Sequence, residues 1–275
     1  MPGNEPIRFE GVSFSYPGEE GSGPTEVFRG LSVVVDSGVT TLVGPNGVGK
    51  STFMLLAGGR LMPEEGRVLL LEEDTRQFHS ETPSPLIEER RNQVASFIYQ
   101  NMEFESEESV GELIEYVQEA GSLAGDQVIR SDVVEALELG PSLSRRTGQL
   151  SKGELQRTII AFSLLYGSPV ILMDEPVFAL EEPQKDRVFA FLMEHARQRE
   201  LTVLYSAHNI DLSAKYSDQT LLFSRGSTVA YGPTSEIFTR QRLEEAFQAP
   251  YDTLYQRQLL YRDVLNRVGR KQQDE

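Results

Sequence analysis

A chain of 275 residues with 39% hydrophobic and 25% charged residues can bury the core of one large domain or two small ones, which excludes general disorder. It contains no cysteine, which excludes disulfides, thiolate metal sites and cysteine nucleophiles and fits a reducing compartment. Its 26 Lys and Arg against 42 Asp and Glu give a net charge of −16, repelled by nucleic-acid backbones and anionic lipid headgroups, so any membrane attachment is expected to run through specific protein contacts.

The start, "MPGNEPIRFEG", has no basic segment followed by an apolar run, so no secretory signal is expected. "IRFEGVSFSY" alternates apolar and polar residues and predicts a half-buried strand. "PGEEGSGPTE" reads as a loop, and "LSVVVD" and "VTTLVG" as short β-branched strands separated by Ser37-Gly38. A helix over about Lys50 to Ala57 follows directly. "GRVLLLEED" and "NQVASFIYQ" predict two more strands. Between them, "TRQFHSETPSPLIEERR" is polar, carries Pro83 and Pro85, and is expected to be a surface loop.

"SVGELIEYVQEAG" and "SDVVEALELG" carry helical periodicity. The acidic region of about 101–149 is helical throughout and reads as a lobe inserted between two strands. A helix over 151–166, the strand "PVILMDE", a helix over about Pro183–Arg197 and the strand "LTVLYSA" come next. "QTLLFSRGSTVAYG" predicts a hairpin turning at Arg225-Gly226. The longest apolar stretch, 158–173, is broken by Gly167, Ser168 and Pro169 and is too short to span a bilayer, so a soluble or peripheral protein without a membrane span is expected. The tail, 251–275, reads as a helix with Leu254, Tyr261, Leu265 and Val268 on one face, packed on its own domain or against a second copy. The alternation of strands and helices argues for a mostly parallel sheet covered by helices.

"GPNGVGKST" (Gly44, Pro45, Asn46, Gly47, Val48, Gly49, Lys50, Ser51, Thr52) matches G-x-x-x-x-G-K-[ST] between a predicted strand and a predicted helix. Its glycines let successive N–H groups point inward, and the helix start adds partial positive charge. Lys50 can reach β- and γ-phosphates, and Ser51 can hold Mg²⁺. "VILMDEP" delivers Asp174 and Glu175 at the end of a buried strand, where acids are costly without partners and where ligands collect in open parallel sheets. Asp174 suits a magnesium shell and Glu175 an attacking water, although a strand-end "DE" is also common as an exposed loop end. His208, in "SAHN", lies past the next strand on the same edge, and a lone histidine there is more often a packing or surface residue. In "LSKGELQR", Ser151 and Glu154 form a capping box, and Gly153 lies in the first turn, so the segment is both a helix start and an anion site.

In this order the motifs resemble those of the ATP-binding cassette (ABC) ATPases over about residues 7–240: "FSYPG", "GPNGVGKST", "IYQN", "LSKGE", "ILMDEP" and "SAHN". The resemblance implies an α/β fold with a P-loop NTPase (RecA-like) core, an N-terminal antiparallel β-subdomain and an inserted α-helical subdomain. It implies an ABC ATPase domain over 1–240 and a C-terminal helical extension over 241–275. Tyr16 would stack on adenine, and Gln100 would touch Mg²⁺ or the attacking water; by themselves these are an edge-strand tyrosine and a polar strand end. ATP and Mg²⁺ are the implied cofactors, with Ser51, Gln100 and Asp174 toward the metal and Glu175, His208 and Gln100 toward catalysis. The signature residues Ser151, Lys152, Gly153 and Glu154 would contact the γ-phosphate held by a second copy, in a homodimer or heterodimer. The implied function is the ATPase subunit of an importer-like transporter, docked on a membrane permease at the cytoplasmic face. The alternative is a soluble ABC ATPase of the iron–sulfur assembly type. Two residues depart from the pattern: Lys152, where the family usually has Gly, and Glu181, where it usually has Asp. The longer Glu181 side chain is expected to weaken cross-talk between sites.

Overall fold

The computed structural model describes residues 5–18, 23–79, 82, 84–100, 102–207, 209–226 and 228–254. The first sheet is antiparallel. Strand β1 (Ile7–Tyr16) pairs on one side with β2 (Thr25–Val35) and on the other with β4 (Glu65–Leu70), which pairs with the short β5 (Glu73–Asp74). Alternation in β1 buries Ile7, Phe9, Val12 and Phe14 on one face. The expected single strand "GRVLLLEED" is instead β4, a turn and β5. Leu71 and Glu72 take φ of 49° and 67° and fold the chain back, a turn that a run of leucines does not announce.

The second sheet has the order β10-β9-β3-β8-β7-β6. Its strands are β3 (Val39–Val43), β6 (Ala95–Ile98), β7 (Val170–Asp174), β8 (Thr202–Ser206), β9 (Gln219–Ser224) and β10 (Thr228–Pro233). Neighbours run parallel except β10, which returns antiparallel to β9 through the expected hairpin. The central strands β3 and β8 are buried at every residue, as a sheet covered on both faces requires.

Helix α1 (Lys50–Ala57) lies between the two sheets. Phe53 stacks on Phe9 with ring centroids 4.2 Å apart, and burying such a side chain contributes about 2–3 kcal/mol. The expected loop before β6 opens with a 3-10 turn over Thr75–Phe78 and from Pro85 onward is the helix α2 (Pro85–Val94). Pro85 occupies the first helical turn, where the missing N–H is not needed, so it starts the helix rather than breaking it. Arg91 of α2 is buried and donates to the Phe78 carbonyl and to Glu88. The strand therefore begins at Ala95 rather than Asn92.

Helices α3 (Val110–Glu119) and α4 (Gln127–Ala136) pack on α5 (Lys152–Tyr166) through Ile114, Val133, Ile160 and Leu164. Gly167, at φ 77°, ends α5 and turns the chain into β7. Helices α6 (Glu182–Gln198) and α7 (Ile210–Tyr216) complete that layer. The short α8 (Thr234–Ile237) and α9 (Arg240–Phe247) pack with Leu254 beside Leu222 of β9. The rest of the expected terminal helix, with Tyr261, Leu265 and Val268, lies outside the described residues. Among the described residues no helix is long and apolar enough to cross a membrane.

His195 of α6 is buried beside Phe191, and its Nε2 has no hydrogen-bond partner. Burial, with Arg199 adding to it and Asp132 opposing, pushes its imidazole down to about 4. It is neutral in the fold, whereas the unfolded chain takes up this proton near pH ~6.5. Stability is therefore lost as pH falls from about 6.5 to about 4, and is unaffected by this group above that window. His195→Leu should flatten the acid side of the denaturation profile, by on the order of 2 kcal/mol near pH ~4 relative to wild type. Urea midpoints of both proteins across this range check it, and parallel profiles contradict it.

Candidate functional site

The parallel register sets the site. Leu42 of β3 lies opposite Ser206 of β8, Ser206 lies opposite Asp174 of β7, and Met173 lies opposite Ile98 of β6. The carboxyl ends of four strands therefore reach one edge together, where open parallel sheets collect ligands.

The phosphate loop leaves this edge from β3. Gly44 has φ 152°, and a Cβ there would collide with the carbonyl of Phe223 on β9. Gly49 has φ 101°, and a Cβ would lie 2.6 Å from Val27 Cγ1. Both positions demand glycine, for backbone angle and for space. Gly49 also caps α1 without a side-chain bond, which leaves the first-turn amides to a ligand. Pro45, Asn46, Gly47 and Val48 complete the loop, with Asn46 and Gly47 exposed. Lys50 Nζ donates to the Gly44 and Pro45 carbonyls, both at 2.8 Å. Burial lowers its ammonium pKa, against the raising fields of Glu175 and Asp174. Ser51 is exposed, and the buried Thr52 has its Oγ1 3.2 Å from the Tyr16 hydroxyl. Tyr16, 38% exposed and edge-on to Phe14 at 5.0 Å, thus stands beside the first turn of α1.

Asp174 and Glu175 are held by a residue that sequence reasoning missed. Ser206, 1% exposed, donates to Asp174 Oδ1 at 2.5 Å and accepts the Glu175 N–H at 3.1 Å. Glu175 has φ 50°, a left-handed conformation that costs a non-glycine residue about 1 kcal/mol or more. Its carboxylate accepts Gln100 Nε2 at 3.0 Å, and its carbonyl accepts Gln156 Nε2 at 3.3 Å. Gln156, also missed, accepts the Ala179 N–H at 2.8 Å. The structure therefore brings Gln100, Asp174 and Glu175 together, and the fields of both acids reach Lys50. His208 lies outside the described residues; Asn209 after it caps α7 through the Asp211 and Leu212 amides.

Ser151 caps α5 with the expected reciprocal pair. Its Oγ accepts the Glu154 N–H at 3.3 Å, and Glu154 Oε2 accepts the Ser151 N–H at 2.8 Å. Burial raises the Glu154 pKa, but the Ser151 bonds and the Arg145 guanidinium at 2.7 Å outweigh it and leave it lowered. Gly153 packs against the turn after the acids, where a Cβ would lie 3.3 Å from the Ala179 carbonyl. Lys152, its side chain 86% exposed, stands 3.9 Å from Glu103, an exposed pair worth about 0–1 kcal/mol. Glu181 is the N-cap of α6 but makes no side-chain capping bond.

Among the described residues no group of three His, Cys, Asp or Glu could hold a metal by itself. The donors that are present, the Ser51 hydroxyl, the Asp174 carboxylate and the Gln100 amide, are oxygen ligands. They suit Mg²⁺ arriving with a nucleotide, since that ion takes one or two protein groups plus phosphate oxygens and water.

The model of the ABC transporter family matches residues 28–178. The chain is 30% identical over 230 residues to the molybdenum import ATP-binding protein ModC of Brucella melitensis biotype 1, covering 83% of this chain and 61% of that protein. It is 27% identical over 246 residues to the petrobactin import ATP-binding protein FatE of Bacillus anthracis, covering 88% of this chain and 93% of that one. The chain thus spans about three fifths of the length of the molybdenum import relatives it matches. In fold it is similar to a dimeric ATP-binding cassette in a post-hydrolysis state with ADP and Pi, at a TM-score of 0.70 and 21% identity, covering 83% of this chain and 98% of that one. The P-loop core with an antiparallel sheet expected from the sequence is the fold observed.

Two stability outcomes follow from this geometry. Ser206→Ala strands the Glu175 N–H and one Asp174 oxygen and should cost about 1–3 kcal/mol, with Ser206→Thr restoring most of it. Glu181→Asp shortens the side chain to capping length and should add about 1 kcal/mol. Chemical denaturation of the three variants reads both effects.

Proposed function

The chain belongs to the ABC transporter family, and on that premise we propose that it is an ATP-binding and ATP-hydrolysing subunit that powers transport through a separate membrane permease. The observation that carries this reading is Glu175, a carboxylate held by Gln100 at 3.0 Å on the same sheet edge as a phosphate loop. The ATPase domain would run over 1–240 with the helical lobe at about 101–149, and 241–275 would be an extension.

In this reading the amides of Gly47 to Thr52 grip the β- and γ-phosphates, and Tyr16 stacks on the adenine. Lys50 leaves its two loop carbonyls for the phosphates; the gain is charge-assisted bonding in place of neutral bonding. Ser51, Asp174 and Gln100 would hold Mg²⁺, which neutralises charge on the β- and γ-phosphoryl oxygens. Glu175 orients the attacking water and accepts its proton. His208 would contact the γ-phosphate. Ser151, Lys152, Gly153 and Glu154 would face the nucleotide of a second copy, because the capping box engages the Ser151 and Glu154 amides and leaves those of Lys152 and Gly153 at the helix start for an anion.

The permease would dock on the groove lined by Tyr99, Met102, Glu103, Leu155 and Ile159, next to Gln100. Tyr99 and Met102 are both partly exposed large apolar side chains there. Movement of that groove would pass to Glu175 through Gln100. The names of the ModC and FatE relatives support import, and the subunit would sit at the cytoplasmic face of the membrane. The charge of −16 weighs against a nucleic-acid partner.

Lys50→Ala should abolish nucleotide binding or turnover. Glu175→Gln should bind ATP and accumulate as a nucleotide-loaded dimer on a sizing column, with turnover lowered by roughly a hundredfold or more. A Glu175→Gln protein that hydrolyses ATP as wild type does removes Glu175 as the base.

A further inference from the structure

The turn after β7 is short and doubly closed. The Phe178 N–H donates to the Glu175 carbonyl at 3.1 Å, and the Leu180 N–H donates to the Val177 carbonyl at 3.2 Å. Across this turn lies one side-chain amide from another element. Gln156 Nε2 donates to the Glu175 carbonyl at 3.3 Å, and Gln156 Oε1 accepts the Ala179 N–H at 2.8 Å. One planar group thus bridges the start and the end of the turn. Gly153, one helical turn earlier on α5, abuts the carbonyl of the same residue, Ala179.

We infer that Gln156 is a positioning residue that transmits engagement of the Ser151 end of α5 to the backbone of Glu175 in its own chain, and so couples the two nucleotide sites of a dimer. The inference rests on the function proposed above and adds to it a route for coupling. Ser151 and Gln156 are five residues apart on one capped helix, about 7.5 Å along its axis, so they move as one body. Glu175 holds a left-handed backbone only while its neighbours over-determine it. Ser206 fixes its N–H from the sheet, and Gln156 fixes its carbonyl from the helix. A shift of α5 on meeting the partner's nucleotide therefore moves the Glu175 carbonyl against a fixed N–H. That rotates the side chain that must meet the attacking water. A displacement of about 1 Å at a reacting group is enough to change a rate by roughly a hundredfold.

Gln156 acts here as donor and acceptor at once. Gln156→Leu removes both bonds. Gln156→Glu keeps the acceptor for Ala179 and loses the donor to Glu175. The test is ATP turnover by the full chain as wild type, each Gln156 variant, Ser151→Ala, and each variant combined with Ser151→Ala. Binding of a fluorescent ATP analogue and thermal unfolding are measured alongside. The expected result is a kcat lowered by roughly tenfold in both Gln156 variants, with analogue affinity within about twofold of wild type. Ser151→Ala should lower kcat less in the Gln156 variants than in wild type, since the part of its effect that runs through Gln156 is already cut and only the direct loss at the partner's nucleotide remains. Fully additive effects of Ser151→Ala and Gln156→Leu overturn the inference, as does a wild-type kcat in a folded Gln156 variant. If Gln156→Leu does not fold, Gln156→Glu answers the same question. A wild-type chain that binds ATP but never turns it over defeats the proposed function and this inference with it; turnover with additive variants defeats the inference alone.

Discussion

The Ser206 hydroxyl donates to Asp174 at 2.5 Å and receives the Glu175 N–H at 3.1 Å, and these two bonds hold a non-glycine residue at φ 50° at the mouth of the site. A buried N–H without a partner costs about 1–3 kcal/mol, the same order as the roughly 1–2 kcal/mol of left-handed strain, so the hydroxyl offsets the strain that this conformation carries. Gln100 on the carboxylate and Gln156 on the carbonyl then fix the remaining groups of the same residue. Those three partners come from β8, the end of β6 and α5. Glu175 is where the parallel sheet, the groove beside Gln100 and helix α5 meet.

The rest of the fold serves this junction. Parallel register among β3, β8, β7 and β6 brings the phosphate loop and the acids to one edge without any long-range search. Phe53 stacked on Phe9 seats α1 against the antiparallel sheet, so the loop amides are presented from a packed helix rather than a mobile one. The close approach of Gly44 to Phe223 locks the loop to β9 on the other side. The lobe is attached differently: α3 and α4 pack on α5, and the start of α5 meets the core through Gly153 and Gln156 at the turn after the acids.

What the sequence made legible was local. The phosphate loop, the Ser151–Glu154 capping box and the apolar run into Asp174 are each decided within a few residues, and each is where the sequence put it. Pro85 misled because proline marks both loops and first helical turns, and the polar, arginine-rich α2 buries little beyond Arg91. The turn at Leu71 and Glu72 was hidden by its apolar and acidic residues, neither of which announces a positive φ. Ser206 and Gln156 were illegible for a stronger reason. Their partners are 31 and 19 residues away, and only the strand order and the docking of α5 bring them into contact. Lys152, conspicuous as a departure from pattern, makes an exposed pair with Glu103.

Because Ser151 and Glu175 are joined through one helix, the account requires that the two ends of this joint serve different nucleotides, one held by each copy. Mixing two defective chains tests that claim most directly. A Lys50→Ala chain and a Ser151→Arg chain are each expected to be inactive alone. Combined, they should regain part of the wild-type ATP turnover: one of the two sites in a mixed dimer then has an intact phosphate loop facing an intact signature, while the Ser151→Arg chain that holds this loop still lacks the coupling to its own Glu175. A mixture as inactive as its components would mean that each chain completes its own site, and the account would be wrong.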